Sequence, residues 1–164
     1  MKPLLSICVL TYNRPNFLAD LLNSVFALDR NYLDQVEIIV IDNGSTDETW
    51  KTIQKYATST NFVSERFSVN LRGSASYLEL IKRAKGDFLV FPGDDDVFKT
   101  KTLAEAIKFL GEFGENYSHL FRNTECCRIL PHRQHVRPIR RTGPIRPTVY
   151  IWYILRLPLA VGKY

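Results

Sequence analysis

Apolar residues follow two spacings along the chain, and the spacing changes at regular intervals. Continuous apolar runs at Leu4–Leu10, Val36–Asp42 and Phe88–Phe91 predict strands buried on both faces, and a weaker run near Val63–Val69 predicts another. Between these runs, apolar residues recur at helical spacing, which predicts amphipathic helices. Strands and helices alternate as far as about residue 120. The pattern therefore predicts an α/β fold, with a mostly parallel sheet and helices on both of its faces.

Local signals predict where the helices begin and end. Pro15 and Asn16 open the first helix, and Ser45 or Thr46 can cap the second, ahead of acidic residues in its first turn. A third helix is predicted from about Ser74 to Ala84, and a fourth ends near Gly111 to Gly114. The residues predicted to face the core are Tyr77, Leu78, Ile81 and Ala84 in the third helix, and Leu103, Ala106, Ile107 and Leu110 in the fourth.

Charge divides the chain into two unequal parts. Residues 1–118 carry 13 Lys+Arg and 16 Asp+Glu, a balance of −3, whereas residues 119–164 carry 9 and 1, a balance of +8. The second part is rich in proline and arginine and has no sustained periodicity. We therefore predict a half-domain at 1–121 and a basic tail at 122–164, with a candidate fifth strand at Tyr117–Phe121. The apolar stretch Thr148–Leu155 is either a strand or an interfacial segment.

Composition narrows the class of protein further. With 45% hydrophobic and 24% charged residues, the chain resembles ordinary globular proteins. No apolar run approaches the roughly 20 residues that a membrane-spanning helix needs. The three cysteines, Cys8, Cys126 and Cys127, match neither a disulfide framework nor the spacing of a zinc site, which predicts a reducing, cytoplasmic location.

Polar residues follow three of the predicted strands at the point where each strand ends. They are Thr11, Tyr12, Asn13 and Arg14 after the first strand, Asp42, Asn43 and Ser45 after the second, and Asp94, Asp95 and Asp96 after the fourth. In an open parallel sheet, ligands bind outside the carboxyl ends of the strands, near the point where strand order reverses. Although polar loops are common at strand ends, three such clusters at one edge predict a binding cleft.

The three consecutive aspartates are the sharpest of these signals. Hard divalent cations take oxygen ligands, and Mg²⁺ commonly uses one or two carboxylates together with water and substrate phosphates. The alternative is that Asp94–Asp96 form a turn and cap the helix near Lys101. Three acidic residues are more than a cap requires, so we favour the cation.

Three segments together resemble one known family. "SICVLTYNRPNFLADLLNSV", "VEIIVIDNGSTDETW" and "AKGDFLVFPGDDDVF" are similar, in order and spacing, to segments of the family 2 nucleotide-sugar glycosyltransferases, which have the Rossmann-like GT-A fold. The resemblance covers roughly Leu4 to Tyr117. It implies a GT-A half-domain whose C-terminal part is incomplete. The "GDDD" form is similar to that of some transferases of O-antigen and other surface polysaccharides.

The resemblance implies roles for the residues at the predicted cleft. It implies that Thr11 and Tyr12 meet the base of the donor nucleotide and that Asp42 accepts a hydrogen bond from it. The full implied nucleotide set is Thr11, Tyr12, Asn13, Arg14, Asp42, Asn43, Arg72 and Asp94, and the implied ligands of Mn²⁺ or Mg²⁺ are Asp95 and Asp96. One departure stands out, because Gly93 occupies the position where many members have the first Asp of the D-x-D motif.

The partners that the resemblance implies are a nucleotide-diphosphate sugar and an acceptor that is a glycan, a lipid-linked molecule or a protein. It also implies a place in cell-surface polysaccharide or lipopolysaccharide synthesis, with peripheral association at the inner face of the membrane. A basic tail that binds nucleic acid or anionic lipid is a less favoured alternative. The acceptor-side general base that inverting relatives carry is not found, since only Glu125 is acidic beyond Ser118. We therefore expect a truncated or frame-shifted transferase. The alternative is an inactive fragment that binds a nucleotide-sugar.

Overall fold

A computed structural model describes residues 2–71, 74–114, 117–123, 126–131 and 152–156 of the chain. Its strands are β1 (Leu5–Thr11), β2 (Val36–Asp42), β3 (Phe62–Arg66), β4 (Phe88–Val90), β5 (Tyr117–Asn123), β6 (Cys126–Pro131) and β7 (Trp152–Arg156). Its helices are α1 (Pro15–Phe26), α2 (Arg30–Leu33), α3 (Thr49–Gln54), α4 (Ser74–Arg83) and α5 (Thr100–Phe113). From β1 to β5 strands alternate with helical segments, as the apolar pattern predicts, and α2 is a second, short helix between β1 and β2.

The strands form one sheet in the order β3-β2-β1-β4-β7-β5-β6. The first four strands in that order pair in parallel, and β7, β5 and β6 extend the sheet by antiparallel pairing. Within Thr148–Leu155, the strand interpretation is therefore the one that the structure supports. The chain passes from β1 outward to β2 and β3 and returns to place β4 on the other side of β1. Strand order thus reverses between β1 and β4.

Both faces of the four parallel strands are covered, as predicted. Every residue of β2 and all but one of β1 are buried, which accounts for their continuous apolar sequences. One face packs against α1, α3 and α5, and the other face packs against Leu80 of α4. The four buried residues of α5 are the four predicted from its period: Leu103, Ala106, Ile107 and Leu110.

The predicted inner face of α4 is wrong at three of its four positions, since only Ala84 packs against the core. Tyr77, Leu78 and Ile81 are 44%, 56% and 38% exposed, whereas Ser76 and Leu80 are fully buried. Ser76 Oγ donates a hydrogen bond to the Leu71 carbonyl oxygen, at 3.0 Å. Because its hydroxyl has a partner within the protein, Ser76 can face the sheet. The helix is therefore rotated so that its larger apolar residues face away from the sheet.

The predicted cap of the second helix is also wrong. Helix α3 begins at Thr49, later than a cap at Ser45 or Thr46 requires. The Asp47 carboxylate instead accepts hydrogen bonds from the Thr49 amide, at 2.9 Å, and from the Thr49 hydroxyl, at 2.6 Å. The residues between β2 and α3 therefore form a loop at the edge of the sheet and do not belong to the first turn of the helix.

Candidate functional site

Three loops meet at the carboxyl edge of the sheet, where strand order reverses. Thr11, the last residue of β1, lies in register with Asp42, the last residue of β2. On the other side of β1, the loop after β4 brings Asp94 within hydrogen-bond distance of Thr11. The structure therefore brings together residues from all three of the predicted clusters, at the position where open α/β sheets bind ligands.

Asp94 is held from two sides. The Thr11 hydroxyl donates to its Oδ2 at 2.9 Å, and Arg14 Nη1 donates to its Oδ1 at 3.0 Å. The residue is only 9% exposed. A carboxylate this far from water needs such partners, because losing hydration without them costs several kcal/mol. Its orientation is fixed by the first loop.

Arg14 also reaches the next carboxylate. Its Nη1 lies 3.0 Å from Asp94 Oδ1 and 3.0 Å from Asp95 Oδ2, so two carboxylate oxygens converge on one cationic nitrogen. The Asp95 side chain is 54% exposed and the Arg14 side chain 47%. The pair of aspartates thus opens to solvent on the side of Asp95.

The third aspartate shapes the loop itself. Asp96 Oδ2 accepts a hydrogen bond from the Gly93 amide at 2.8 Å, and the Asp96 amide donates to the Gly93 carbonyl oxygen at 3.1 Å. These bonds close a tight turn, as the turn interpretation predicts. A Cβ at Gly93 would lie 2.7 Å from Asp95 Oδ1, so this glycine leaves room for the Asp95 carboxylate.

Asp42 is fully buried and has one oxygen without a hydrogen bond. Its Oδ1 accepts from the Ser45 amide at 2.8 Å across a turn at Gly44, whose φ of +81° favours glycine. Its Oδ2 lies 3.3 Å from Arg66 Nε, close enough for an ion pair but without hydrogen-bond geometry. A buried oxygen without a hydrogen bond is unusual in a folded protein. One explanation is that a bound ligand supplies the missing donor.

The two asparagines connect the loops to one another. Asn13 adopts a φ of 53°, a left-handed conformation that asparagine tolerates. Its backbone N–H donates to Ser45 Oγ at 2.9 Å, and its side-chain Oδ1 accepts from the backbone N–H of Thr46 at 2.9 Å. These two hydrogen bonds hold the loop after β1 against the loop after β2. The role of Asn13 at this edge is therefore to position the two loops.

Asn43 anchors the second loop to the segment before α4. Its Nδ2 donates to Asn70 Oδ1 and to the Leu71 carbonyl oxygen, both at 2.9 Å. Its Oδ1 accepts from the Leu71 amide at 2.9 Å and from Ser76 Oγ at 3.3 Å. All four hydrogen-bonding positions of the side chain are thus used within the protein. Arg72, predicted to approach the diphosphate, lies outside the described residues.

Tyr12 and Arg66 complete the edge. Tyr12 is 41% exposed, so part of its ring is available to a ligand. Arg66, which sequence reasoning missed, donates to the Ser45 carbonyl oxygen at 2.5 Å and lies 5.9 Å from the Trp50 ring centre. Its place at the end of β3 was the available signal, because β3 neighbours β2 in a parallel sheet.

The residues present fit a divalent cation in part. Among the described residues, no group of three or more His, Cys, Asp or Glu side chains is arranged to hold a metal ion. The two carboxylates that converge on Arg14 Nη1 are the donor set that Mg²⁺ or Mn²⁺ uses when substrate phosphates and water supply the other ligands. The Arg14 guanidinium shows that these two carboxylates can hold a positive charge between them.

A separate surface cavity lies at the other end of the sheet. It has a volume of about 420 Å³ and is lined by residues that precede β2 and β3, among them Leu33, Asp34 and Asn61. It contains none of the predicted site residues.

Comparison with known proteins identifies the family. The model of the family described as glycosyl transferase family 2 matches residues 6–154. The chain is 34% identical over 139 residues to the abequosyltransferase RfbV of Salmonella typhimurium, covering 82% of this chain and 41% of RfbV. The crystal structure of TarS 1-349 from S. aureus, in complex with UDP-GlcNAc, matches with a TM-score of 0.61 and 30% identity, over 68% of this chain and 32% of that one.

The chain therefore belongs to glycosyltransferase family 2. The family prediction and the GT-A fold prediction are confirmed. A mannosyltransferase from Pyrobaculum calidifontis, solved with GDP-Man and Mn2+, shares the fold at 21% identity and a TM-score of 0.61, over 73% of this chain and 35% of that one. The chain spans less than half the length of these relatives. Within the described part of the chain, no helix is both long and apolar enough to cross a membrane.

Proposed function

We propose that this chain binds a nucleotide-diphosphate sugar at the carboxyl edge of the sheet and transfers the sugar to an acceptor hydroxyl. The observation that carries the proposal is the convergence of Asp94 and Asp95 on one cationic point beside Thr11. TarS, to which the chain is similar, has been crystallised with UDP-GlcNAc. Family membership supports the reaction class.

The residues divide the donor between them. Asp42 Oδ2, buried and without a hydrogen bond, accepts an N–H of the base. The atom is buried, so a neighbouring side chain must move to admit the base, and the half-exposed Arg66 is the charged neighbour in contact with it. The Tyr12 ring packs against the base, and Asp94, oriented by Thr11, supports both the ribose and the cation.

Asp95 is the residue we assign to the divalent cation, with Asp96 in support. Asp95 is the more exposed of the two converging carboxylates, which leaves space for phosphate and water ligands. When bound, Mn²⁺ or Mg²⁺ supplies Lewis-acid stabilisation of the charge on the departing diphosphate. The Mn2+ in the mannosyltransferase of the same fold is consistent with this chemistry.

The proposed setting is the synthesis of a cell-surface polysaccharide or lipopolysaccharide. RfbV and TarS, whose names describe sugar transfer, support this setting, and the acceptor we propose is a glycan, a lipid-linked molecule or a protein. Cytoplasmic location with peripheral association at the inner membrane face belongs to the same proposal. The cytoplasmic part rests on the cysteine pattern of the sequence, which matches no disulfide framework.

The test is a binding panel followed by a turnover assay. UDP, GDP, CDP and dTDP are titrated calorimetrically with MnCl₂ present, and one of them is expected to bind more tightly than the corresponding mononucleotide. Failure of all four to bind would contradict the proposal. Slow metal-dependent hydrolysis of the matching nucleotide-sugar supports an enzyme, whereas binding without any hydrolysis or transfer favours the second candidate, a nucleotide-sugar-binding fragment without activity.

A further inference from the structure

The backbone of Arg14 is fixed by the fold, whereas its side chain reaches the two aspartates from a half-exposed position. It is the residue immediately before α1, and its amide donates to the Thr49 hydroxyl at 3.0 Å. That bond ties the main chain of the first loop to α3. The side chain is 47% exposed, so the guanidinium can leave the aspartates without disturbing the loop that carries it.

The guanidinium occupies the place where a divalent cation would meet the same oxygens. Arg14 Nη1 contacts Asp94 Oδ1 and Asp95 Oδ2, each at 3.0 Å. A second positive centre cannot take the same lone pairs while Arg14 remains. Asp94 is nearly buried, and in this structure the cation that offsets its charge is Arg14.

We propose that Arg14 is a built-in counter-ion that competes with the divalent cation for Asp94 and Asp95, and that it makes metal binding depend on the nucleotide diphosphate. This inference rests on the function proposed above. A diphosphate adds negative charge beside the first loop and gives the displaced guanidinium a new partner. Metal alone must displace Arg14 without that compensation.

The consequence is a coupling between two ligands. If the diphosphate tightens metal binding by some factor, the metal tightens diphosphate binding by the same factor, since the two equilibria share one cycle. Arg14 is then a positioning residue. Its removal should strengthen the binding of free metal and shrink the coupling, two changes that a purely structural arginine would not produce.

The test measures Mn²⁺ binding by the electron paramagnetic resonance signal of the free ion, with and without the nucleoside diphosphate that binds best in the panel. Arg14→Gln is expected to bind free Mn²⁺ roughly tenfold more tightly than wild type, equivalent to about 1.4 kcal/mol. Arg14→Lys, which retains the positive charge, should stay near wild type. The matched control is Arg30→Gln, which removes an equal charge from an exposed pair with Asp34 and should change nothing.

One result would overturn the inference while leaving the proposed function standing: Arg14→Gln that binds free Mn²⁺ no more tightly than wild type. Wild-type protein that binds Mn²⁺ equally well with and without the diphosphate would overturn the inference and the assigned role of the metal together, because each ligand changes the affinity for the other by the same factor. Absence of Mn²⁺ binding in every variant, with or without any nucleotide, would instead overturn the metal-dependent function and this inference with it.

Discussion

Replacing Asp42 with asparagine isolates one atom of the proposed base site. Asn retains an oxygen that can accept from the Ser45 amide, as Asp42 Oδ1 does at 2.8 Å. It replaces the second oxygen, which has no hydrogen bond in the structure, with an amide nitrogen that can only donate. A base N–H directed at that position then meets a donor, and the proposed hydrogen bond is lost.

The expected loss of affinity follows from the charge of the acceptor. Hydrogen bonds to charged groups contribute about 1.5–3 kcal/mol, which corresponds to a roughly 10- to 150-fold weaker Kd for the nucleoside diphosphate. Stability should change by no more than about 1 kcal/mol, because the lost ion pair with the half-exposed Arg66 is weak and a neutral amide is easier to bury than a carboxylate.

Calorimetric titration of wild type, Asp42→Asn and the surface control Asp34→Asn, with Mn²⁺ present, measures the effect. Thermal melts of the same samples confirm that each variant is folded at the titration temperature. The reasoning fails if Asp42→Asn binds within twofold of wild type. It also fails if its affinity falls only in proportion to a loss of folded protein, since Asp42 would then be a structural residue of the turn.

Three further predictions test the fold. Leu80→Ala should lower the free energy of unfolding by about 3 kcal/mol and Leu78→Ala by less than about 0.5 kcal/mol, because only Leu80 is buried; equal losses in denaturant melts would refute the helix orientation. Glu37→Ala should cost about 3 kcal/mol, because its Oε1 accepts from the Ser6 hydroxyl and the amides of Lys85 and Gly86; an unchanged melt would refute that network. Burial, and to a lesser extent the charge of Glu37, raises the pKa of Cys8 to about 12. In a variant that keeps no other cysteine, this thiol should therefore not react with a disulfide reagent at pH 8 while the chain is folded. Because the folded protein holds that proton more tightly than the unfolded chain, stability should fall as pH rises from about 9 to 12, and rapid labelling at pH 8 would contradict the burial.

The predictable parts of the fold are those in which local pattern and tertiary burial agree. Val36–Asp42 is a strand with the predicted bounds because its β-branched run is buried on both faces. The core positions of α5 were predictable for a similar reason, since its polar residues leave only one apolar stripe. In α4, two orientations compete, and the observed one brings Ser76 Oγ into contact with Asn43 Oδ1, 33 residues away in the chain, which no local period encodes.

The candidate site divides in the same way. The strand ends and the aspartate run were visible in the sequence, because parallel strands deliver their carboxyl ends to one edge. The bridge from Arg14 to two aspartates was not visible, since the partners are 80 and 81 residues apart in the chain. The contact of Arg66 with Asp42 depends on β3 lying beside β2, a pairing that the sequence suggests only after the sheet order is known.

The most direct measurement is the Mn²⁺ dependence of nucleoside diphosphate binding in Asp95→Asn beside wild type. Asparagine keeps the size of the side chain and removes the charge that we assign to the cation. Wild type is expected to bind the diphosphate more tightly with Mn²⁺ than without it, and Asp95→Asn should lose most of that gain while remaining folded. An equal gain in both proteins would contradict the claim that Asp94 and Asp95 bind the metal ion in contact with the diphosphate.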